Sequence, residues 1–205
     1  MKKPSRKKVI KIKINIFLIA FILLTILLSF LIYFSVYNYN SQRAKEFYFD
    51  YKGYLIEFRR PISNSYKVKV FPNESMLNLS TYSLALGIYK NLSIVILEKD
   101  NNQATAIQAA EIISKVKNVL DFELKNYNEG IGINLIKLET DLYELNISNR
   151  EYYVFLRSYL FSNETYIKVH RINLIEITGK NLEEFDLATI RFLISFLENM
   201  KNLYK

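Results

Sequence analysis

The sequence predicts an α/β (or α+β) protein with one N-terminal transmembrane helix and a single outer domain built on a mixed sheet and two to three helices. Three observations carry that prediction. Ile16 to Val36 is a run of 21 residues without a charge. After it, stretches that alternate polar and apolar residues are interspersed with stretches whose apolar residues recur every three to four positions. Half of the 205 residues are hydrophobic and 15% are aromatic, which is enough to bury a core and leaves room for one domain beside the anchor.

The apolar run sets the organisation of the chain. As an α-helix, such a run covers roughly 30 Å, the thickness of a bilayer's hydrocarbon core. Its only polar side chains are Thr25, Ser29 and Ser35, whose hydroxyls can bond back to helix carbonyls. Tyr33, Phe34, Tyr37 and Tyr39 cluster at its far end, where aromatic rings favour the membrane interface. A cleaved signal peptide has a shorter apolar run and small residues at its cleavage site. Here the run ends in bulky residues, so it is read as an uncleaved signal-anchor. A lipoprotein would need a Cys, and the chain has none. The expected organisation is a basic tail at 1–13, a span at 14–37, a short stalk at 38–45 and an extracytoplasmic domain at 46–205. Fully extended, the stalk reaches at most ~28 Å, which would keep the domain near the bilayer.

Charge gives the orientation. The net charge of +8 suggests nucleic acid at first sight, but it is unevenly placed. Lys2, Lys3, Arg6, Lys7, Lys8, Lys11 and Lys13 precede the span with no acid among them. Removing those seven from the 28 basic residues leaves 21 against 20 acidic ones. The basic character is therefore a topology signal, and no nucleic-acid partner is expected. It places the N-terminus in the cytoplasm, as for a single-pass protein of the cell membrane.

Within the domain, Phe47 to Tyr51 and Tyr54 to Phe58 read as strands around a Lys52-Gly53 turn. Tyr66 to Phe71 alternates like a half-buried strand, and Pro72-Asn73-Glu74 opens a helix reaching about Tyr89. Leu92 to Leu97 is continuously apolar, as in a strand covered on both faces. Asp100-Asn101-Asn102 begins a helix whose expected apolar stripe is Ala106, Ala109, Ile113, Val116 and Leu120, with Glu111, Lys115 and Lys117 on the surface. Gly130-Ile131-Gly132 marks a turn. Strands are expected at Ile133 to Leu138, Tyr152 to Arg157, Tyr166 to Arg171 and Leu174 to Thr178. Asn181 and Glu184 make a capping-box-like start to a last helix through about Asn199, with Leu182, Phe185, Leu193, Phe196 and Met200 as its stripe.

Chemical signals are few. The absence of Cys removes disulfides, thiolate nucleophiles and cysteine-ligated metals. The single His, His170, rules out multi-His metal sites and shares a strand face with Tyr166 and Lys168. The five glycines form neither a dinucleotide fingerprint nor a P-loop, so no cofactor is expected. Of the carboxylate pairs, Glu183/Glu184 fits favourable placement at a helix N-terminus, and Asp141/Glu144 carries no motif. No catalytic residue is identified. Glu98, Asp100 and Asn101 are the candidate ligand-binding residues, because open α/β sheets bind ligands beyond the carboxyl ends of their strands. Arg59-Arg60 could meet lipid headgroups. Asn-x-Ser/Thr occurs at Asn73, Asn78, Asn91, Asn146 and Asn163. Composition alone would give roughly two such sequons in this region, so all five are glycosylation candidates of an exposed glycoprotein.

Tyr-Lys-Val-Lys-Val-Phe-Pro-Asn-Glu at Tyr66 to Glu74 and the segment Ile175 to Leu197, where Ile-Thr-Gly precedes Asn-Leu-Glu-Glu-Phe-Asp-Leu-Ala-Thr, resemble uncharacterised archaeal single-pass membrane-anchored proteins. The resemblance covers about a fifth of the chain and rests on structural motifs. It implies no activity and transfers no functional residue. The Ile-, Lys- and Asn-rich composition looks like that of an AT-rich prokaryotic genome.

Together these features point to a non-enzymatic binding or accessory module of a membrane or envelope assembly, with the lipid bilayer and a protein as partners. One alternative is a membrane-tethered envelope hydrolase using Asp/Glu. Another is a carbohydrate-binding surface domain, suggested by the 16 Tyr.

Overall fold

The computed structural model describes residues 16–123, 131–139, 141–142 and 145–204. The expected tail at 1–13, Gly130 and Glu144 lie outside them. The chain divides into two compact units, Met1–Ala44 and Lys45–Lys205.

The first unit is the greater part of a 32-residue helix, α1, which runs Ile16–Phe47. Phe21–Tyr39 within it is long and apolar enough to cross a membrane, and none of it is buried by protein. Its hydroxyls return to the helix: Thr25 donates to the Ile22 carbonyl and Ser29 to the Thr25 carbonyl, each at 2.8 Å. Phe30 stacks on Phe34 and Tyr33 on Tyr37, one turn apart. The stretch 38–45, expected as a short stalk, is helical. It contains neither Gly nor Pro, so nothing in it breaks the helix. Eight helical residues advance about 12 Å, less than half their extended reach.

The second unit starts with a hairpin, β1 (Tyr48–Tyr51) and β2 (Tyr54–Glu57), which forms its own two-stranded sheet. Lys52 and Gly53 both adopt positive φ, the two-residue turn that matches strand twist, and the Gly53 N–H donates to Asp50 Oδ1. Pro61 then leads a single helical turn, α2 (Ile62–Ser65), which shortens the strand expected from Tyr66 to β3 (Lys69–Phe71). Helix α3 (Glu74–Ala85) is capped by Asn73 and ends four residues before Tyr89. Strand β4 (Asn91–Leu97) leads through one 3-10 turn, Glu98–Asp100, into α4 (Gln103–Glu123). The chain continues through β5 (Gly132–Leu138), β6 (Glu151–Arg157), β7 (Tyr166–Arg171), β8 (Leu174–Thr178) and α5 (Leu182–Leu203).

Six strands form one mixed sheet in the order β3-β7-β8-β6-β4-β5. Strands β4, β5, β6 and β8 are mutually parallel, β7 runs antiparallel to β8, and β3 pairs parallel to β7. The domain is thus α/β, as expected, with α2 the helix that the sequence did not announce. Its main core lies between one sheet face and helices α3, α4 and α5, and Phe185, Phe192 and Phe196 of α5 are completely buried there. The opposite face has a thinner cover. Leu142, Leu145 and Ile147 of the β5–β6 connection lie over Val95, Leu97, Tyr153 and Phe155.

The α4 stripe differs from expectation by about one position. Ile112, Val116, Val119 and Leu120 are buried, while Ala106 is exposed and Glu111 is buried. Glu111 is tolerated inside because Lys115 bonds it at 2.7 Å and Arg59 approaches to 3.7 Å.

Candidate functional site

Glu98, Asp100 and Asn101 do lie at the carboxyl end of β4, but they do not converge. Asp100 is completely buried. Its Oδ2 accepts the Ser158 N–H at 2.6 Å, and its Oδ1 accepts the Ser158 hydroxyl and, at 2.7 Å, the Asn102 amide. Asn102 caps α4 by accepting from the backbone of Ala104 and Thr105, and the Thr105 hydroxyl donates to the Asp100 carbonyl. Asp100 is therefore a joint that ties the ends of β4 and β6 to the start of α4. Glu98 and Asn101 are exposed beside it.

A cleft of about 530 Å³ opens at the same end of the domain. Lys67 and Lys69 flank it from the α2–β3 segment, Asn163 and Thr165 from the β6–β7 loop, and Lys180 and Glu184 from the start of α5. The Glu184 carboxylate takes hydrogen bonds from Lys180 Nζ, 2.8 Å away, and from the Thr165 hydroxyl. Those two bonds, that of Lys180 first, hold its carboxyl below the usual carboxylate range. A general acid needs the opposite shift, toward the protonated form at neutral pH.

The thinly covered sheet face carries a second charged cluster. Glu176, on β8, is 4% exposed. His170 Nε2 lies 2.8 Å from its Oε2, and Arg157 Nε lies 3.2 Å from its Oε1. Arg157 also donates to Asp141 Oδ1 at 2.9 Å and stacks over the Phe155 ring. The Tyr166 phenol is pushed up from its ordinary value, first by burial and then by the Glu176 charge. Register places Tyr166, Lys168 and Glu176 on one face with His170 beside them, as the strand alternation predicts. Sequence reasoning passed over Glu176 and Arg157. The signal available was a carboxylate in the middle of the apolar strand Leu-Ile-Glu-Ile-Thr, a position that must be buried and hence paired. Within the cluster Glu176 is paired from both sides, while Arg157 Nε, 3.2 Å from it, makes no hydrogen bond of good geometry. Among the described residues, no group of three or more His, Asp or Glu is arranged to hold a metal.

The sequon asparagines fall into two groups. Asn78 lies within α3 and its Oδ1 accepts from the Ser195 hydroxyl, while Ser80 of that sequon is buried. Asn91 lies within β4, its amide reaches Glu151, and a side chain at Gly132 would clash with its Oδ1. Asn73, Asn146 and Asn163 are exposed outside helices and strands, with Asn73 spending its carbonyl oxygen on the α3 cap.

Exposed apolar side chains occur on several elements of the domain, among them Leu79, Leu86, Ile88 and Leu135, and two groups stand out. Tyr54 and Leu55 of the hairpin are well exposed, and an apolar groove of about 200 Å³ between the hairpin and α4 is lined by Tyr51, Tyr54, Ile56, Val119 and Phe122. Tyr54 meets Phe122 edge to face at 5.2 Å. The second is the turn after β6, where Tyr159, Leu160 and Phe161 are consecutively exposed.

No protein-family model, curated protein or solved structure matches this chain. The resemblance to archaeal anchored proteins gains no support from these comparisons, and the functional reading rests on geometry alone.

Proposed function

We propose that this chain is a single-pass, membrane-anchored binding module without enzymatic activity, an accessory part of a membrane or envelope assembly. In this reading the basic tail is cytoplasmic and the α/β domain lies outside. The observation that carries it is the apolar groove between the hairpin and α4. Monomeric surfaces seldom leave adjoining aromatic and aliphatic side chains open to water without a use for them. Tyr and Phe at the rim of a concave apolar surface are the usual anchors of a protein contact.

The alternatives draw less support. A hydrolase using carboxylates needs one of them free and poised as an acid, whereas Asp100, Glu176 and Glu184 are each tied to cationic or hydrogen-bonding partners. A carbohydrate platform needs exposed rings in a row, whereas Tyr51, Tyr152 and Tyr153 belong to the cores and the exposed Tyr54, Tyr66, Tyr82 and Tyr159 lie on different elements. Asn73, Asn146 and Asn163 are the sequons we propose carry glycans, since these three stand clear of regular structure.

Detergent extraction with cross-linking tests the module. Wild type is expected to co-purify with a stoichiometric protein partner, and Tyr54→Ser with Leu55→Ser to lose it while remaining folded. Recovery of wild type alone and monomeric, or unchanged capture by the double variant, would refute the reading. Protease added to intact cells tests the topology. It is expected to remove residues after 45, and full protection until lysis would reverse it.

A further inference from the structure

We propose that the outer face of α3 is a contact between two copies of this chain, packed antiparallel about a twofold axis near Tyr82. A helix that covers a core normally turns its apolar side inward and its polar side to water. Helix α3 departs from that rule on both sides. Inside, Ser80, Thr81 and Ser83 are buried beside Leu77 and Leu84. The Ser80 hydroxyl lies 2.8 Å from that of Tyr152, Thr81 Oγ1 lies 2.8 Å from Ser195 Oγ, and the Ser83 hydroxyl donates to the Ser80 carbonyl. Outside, Leu79, Tyr82 and Leu86 follow at intervals of three and four residues, which sets them on one stripe. They remain 48%, 39% and 42% exposed, and Ile88 just past the helix is 61% exposed. No residue from Ser75 to Tyr89 carries a charge. An apolar, uncharged stripe facing away from the core marks a contact surface.

Symmetry, charge and size favour a second copy as the occupant. The stripe is symmetric about its centre, so an antiparallel copy sets Leu79 against the partner's Leu86 and Leu86 against the partner's Leu79, with the two Tyr82 rings at the axis. The first charges met beyond the stripe are opposite in sign and both exposed, Glu74 before it and Lys90 after it. Glu74 also bonds Arg191 and keeps half of its side chain open. Antiparallel packing brings Glu74 toward the partner's Lys90 twice over, and the N-terminus of each helix toward the C-terminus of the other. A parallel copy would set like charges side by side. The helix has 12 residues. At about 18 Å long and 10 Å across, it offers less than the roughly 800 Å² per partner of a stable interface with an unrelated protein. An isologous contact uses each side chain twice, which suits a patch this small. The sequon at Asn73 lies past the end of the stripe, where a glycan meets solvent. The contact is separate from the apolar groove between the hairpin and α4 and does not rest on it.

The chain has no Cys of its own, so disulfide trapping of the purified full chain in detergent reads the contact directly. Under mild oxidation Tyr82→Cys is expected to give several-fold more covalent dimer than Lys168→Cys, which lies on the other face of the sheet. A mixture of Leu79→Cys and Leu86→Cys chains, told apart by a size tag, is expected to give chiefly the mixed dimer. Leu79→Glu with Leu86→Glu, added to Tyr82→Cys, should cut trapping about tenfold while the melting temperature shows the fold intact. Tyr54→Ser with Leu55→Ser, added to Tyr82→Cys, should leave trapping undiminished, so failure of the groove reading and failure of this one are distinguishable. Equal trapping at 82 and 168 overturns the inference, as does trapping that survives the two Glu substitutions. Dimers of 79 with 79 and of 86 with 86 in preference to the mixed dimer are the mark of a parallel pair and overturn it as well. In native membranes, a Tyr82→Cys adduct with another protein in place of the dimer overturns it in favour of that partner.

Discussion

Replacing Asp100 by Ala should destabilise the domain severely, because three donors lose their acceptor at once. The Ser158 N–H has no second partner and would be left buried, at a cost of about 1–3 kcal/mol. The Ser158 hydroxyl and the Asn102 amide can still bond to each other, 3.2 Å apart, so their loss is partial. Hydrogen bonds to a charged acceptor contribute about 1.5–3 kcal/mol each, and relief from burying the carboxylate offsets part of the total. The net expectation is about 3 kcal/mol, a large share of the 5–15 kcal/mol typical of a domain. At about 2–4 °C per kcal/mol, Tm should fall by about 6–12 °C. Asp100→Asn should cost less, about 2 kcal/mol, since one oxygen still accepts while the new amide opposes a donor. Asn101→Ala, at an exposed position, should stay within about 0.5 kcal/mol. The assay is thermal melting of the detergent-solubilised full chain, followed by the near-ultraviolet signal of its tyrosines. An Asp100→Ala protein with unchanged Tm would refute the joint described above. Loss of partner capture in that unchanged protein would restore Asp100 as a binding residue.

Glu176→Ala strands Arg157 and His170 and should cost about 3 kcal/mol, whereas His170→Ala, at the partly exposed side of the cluster, should cost under about 1 kcal/mol; urea titration of both variants separates them. Gly179→Ala should yield little folded protein, since a Cβ there would stand 2.4 Å from the Phe185 backbone, and limited proteolysis of membranes would reveal it. Glu184 is depressed below the ordinary carboxylate range, so its stabilisation is present at neutral pH and is lost as pH falls through that range. Tm measured from pH 6 to pH 3 should therefore fall slightly less for Glu184→Gln than for wild type, the difference being small because the pair is partly exposed.

Local signals were legible in the sequence. The Lys52-Gly53 hairpin, the Asn73 and Asn181 caps and the apolar run of β4 each depend on neighbours within a few positions. The unforeseen elements depend on distant ones. Glu111 reads as a surface residue until Arg59, 52 positions earlier, is brought beside it. Asp100 reads as an open ligand until Ser158, 58 positions later, closes over it. For the stalk at 38–45 the sequence sets only an upper bound on its reach, and its helical backbone follows from a segment that holds no residue that ends a helix. The candidate site thus lies at the carboxyl end of β4, where the sequence put it, while the burial and pairing of its central carboxylate were not legible there.

Strand β3 has a single neighbour, β7, and α5 supplies the buried aromatic centre of the main core. Roughly 130 residues separate the end of β3 from the end of α5. At about 5–20 residues per second, a ribosome takes on the order of ten seconds to make them. For roughly the first 100 of those residues, until β7 is made, the nascent domain holds an unpaired strand, and its core stays unfilled to the end of the interval. Biogenesis should therefore depend on a holding factor at the membrane, and a chain interrupted before Leu182 should be degraded rather than accumulate as a smaller folded form.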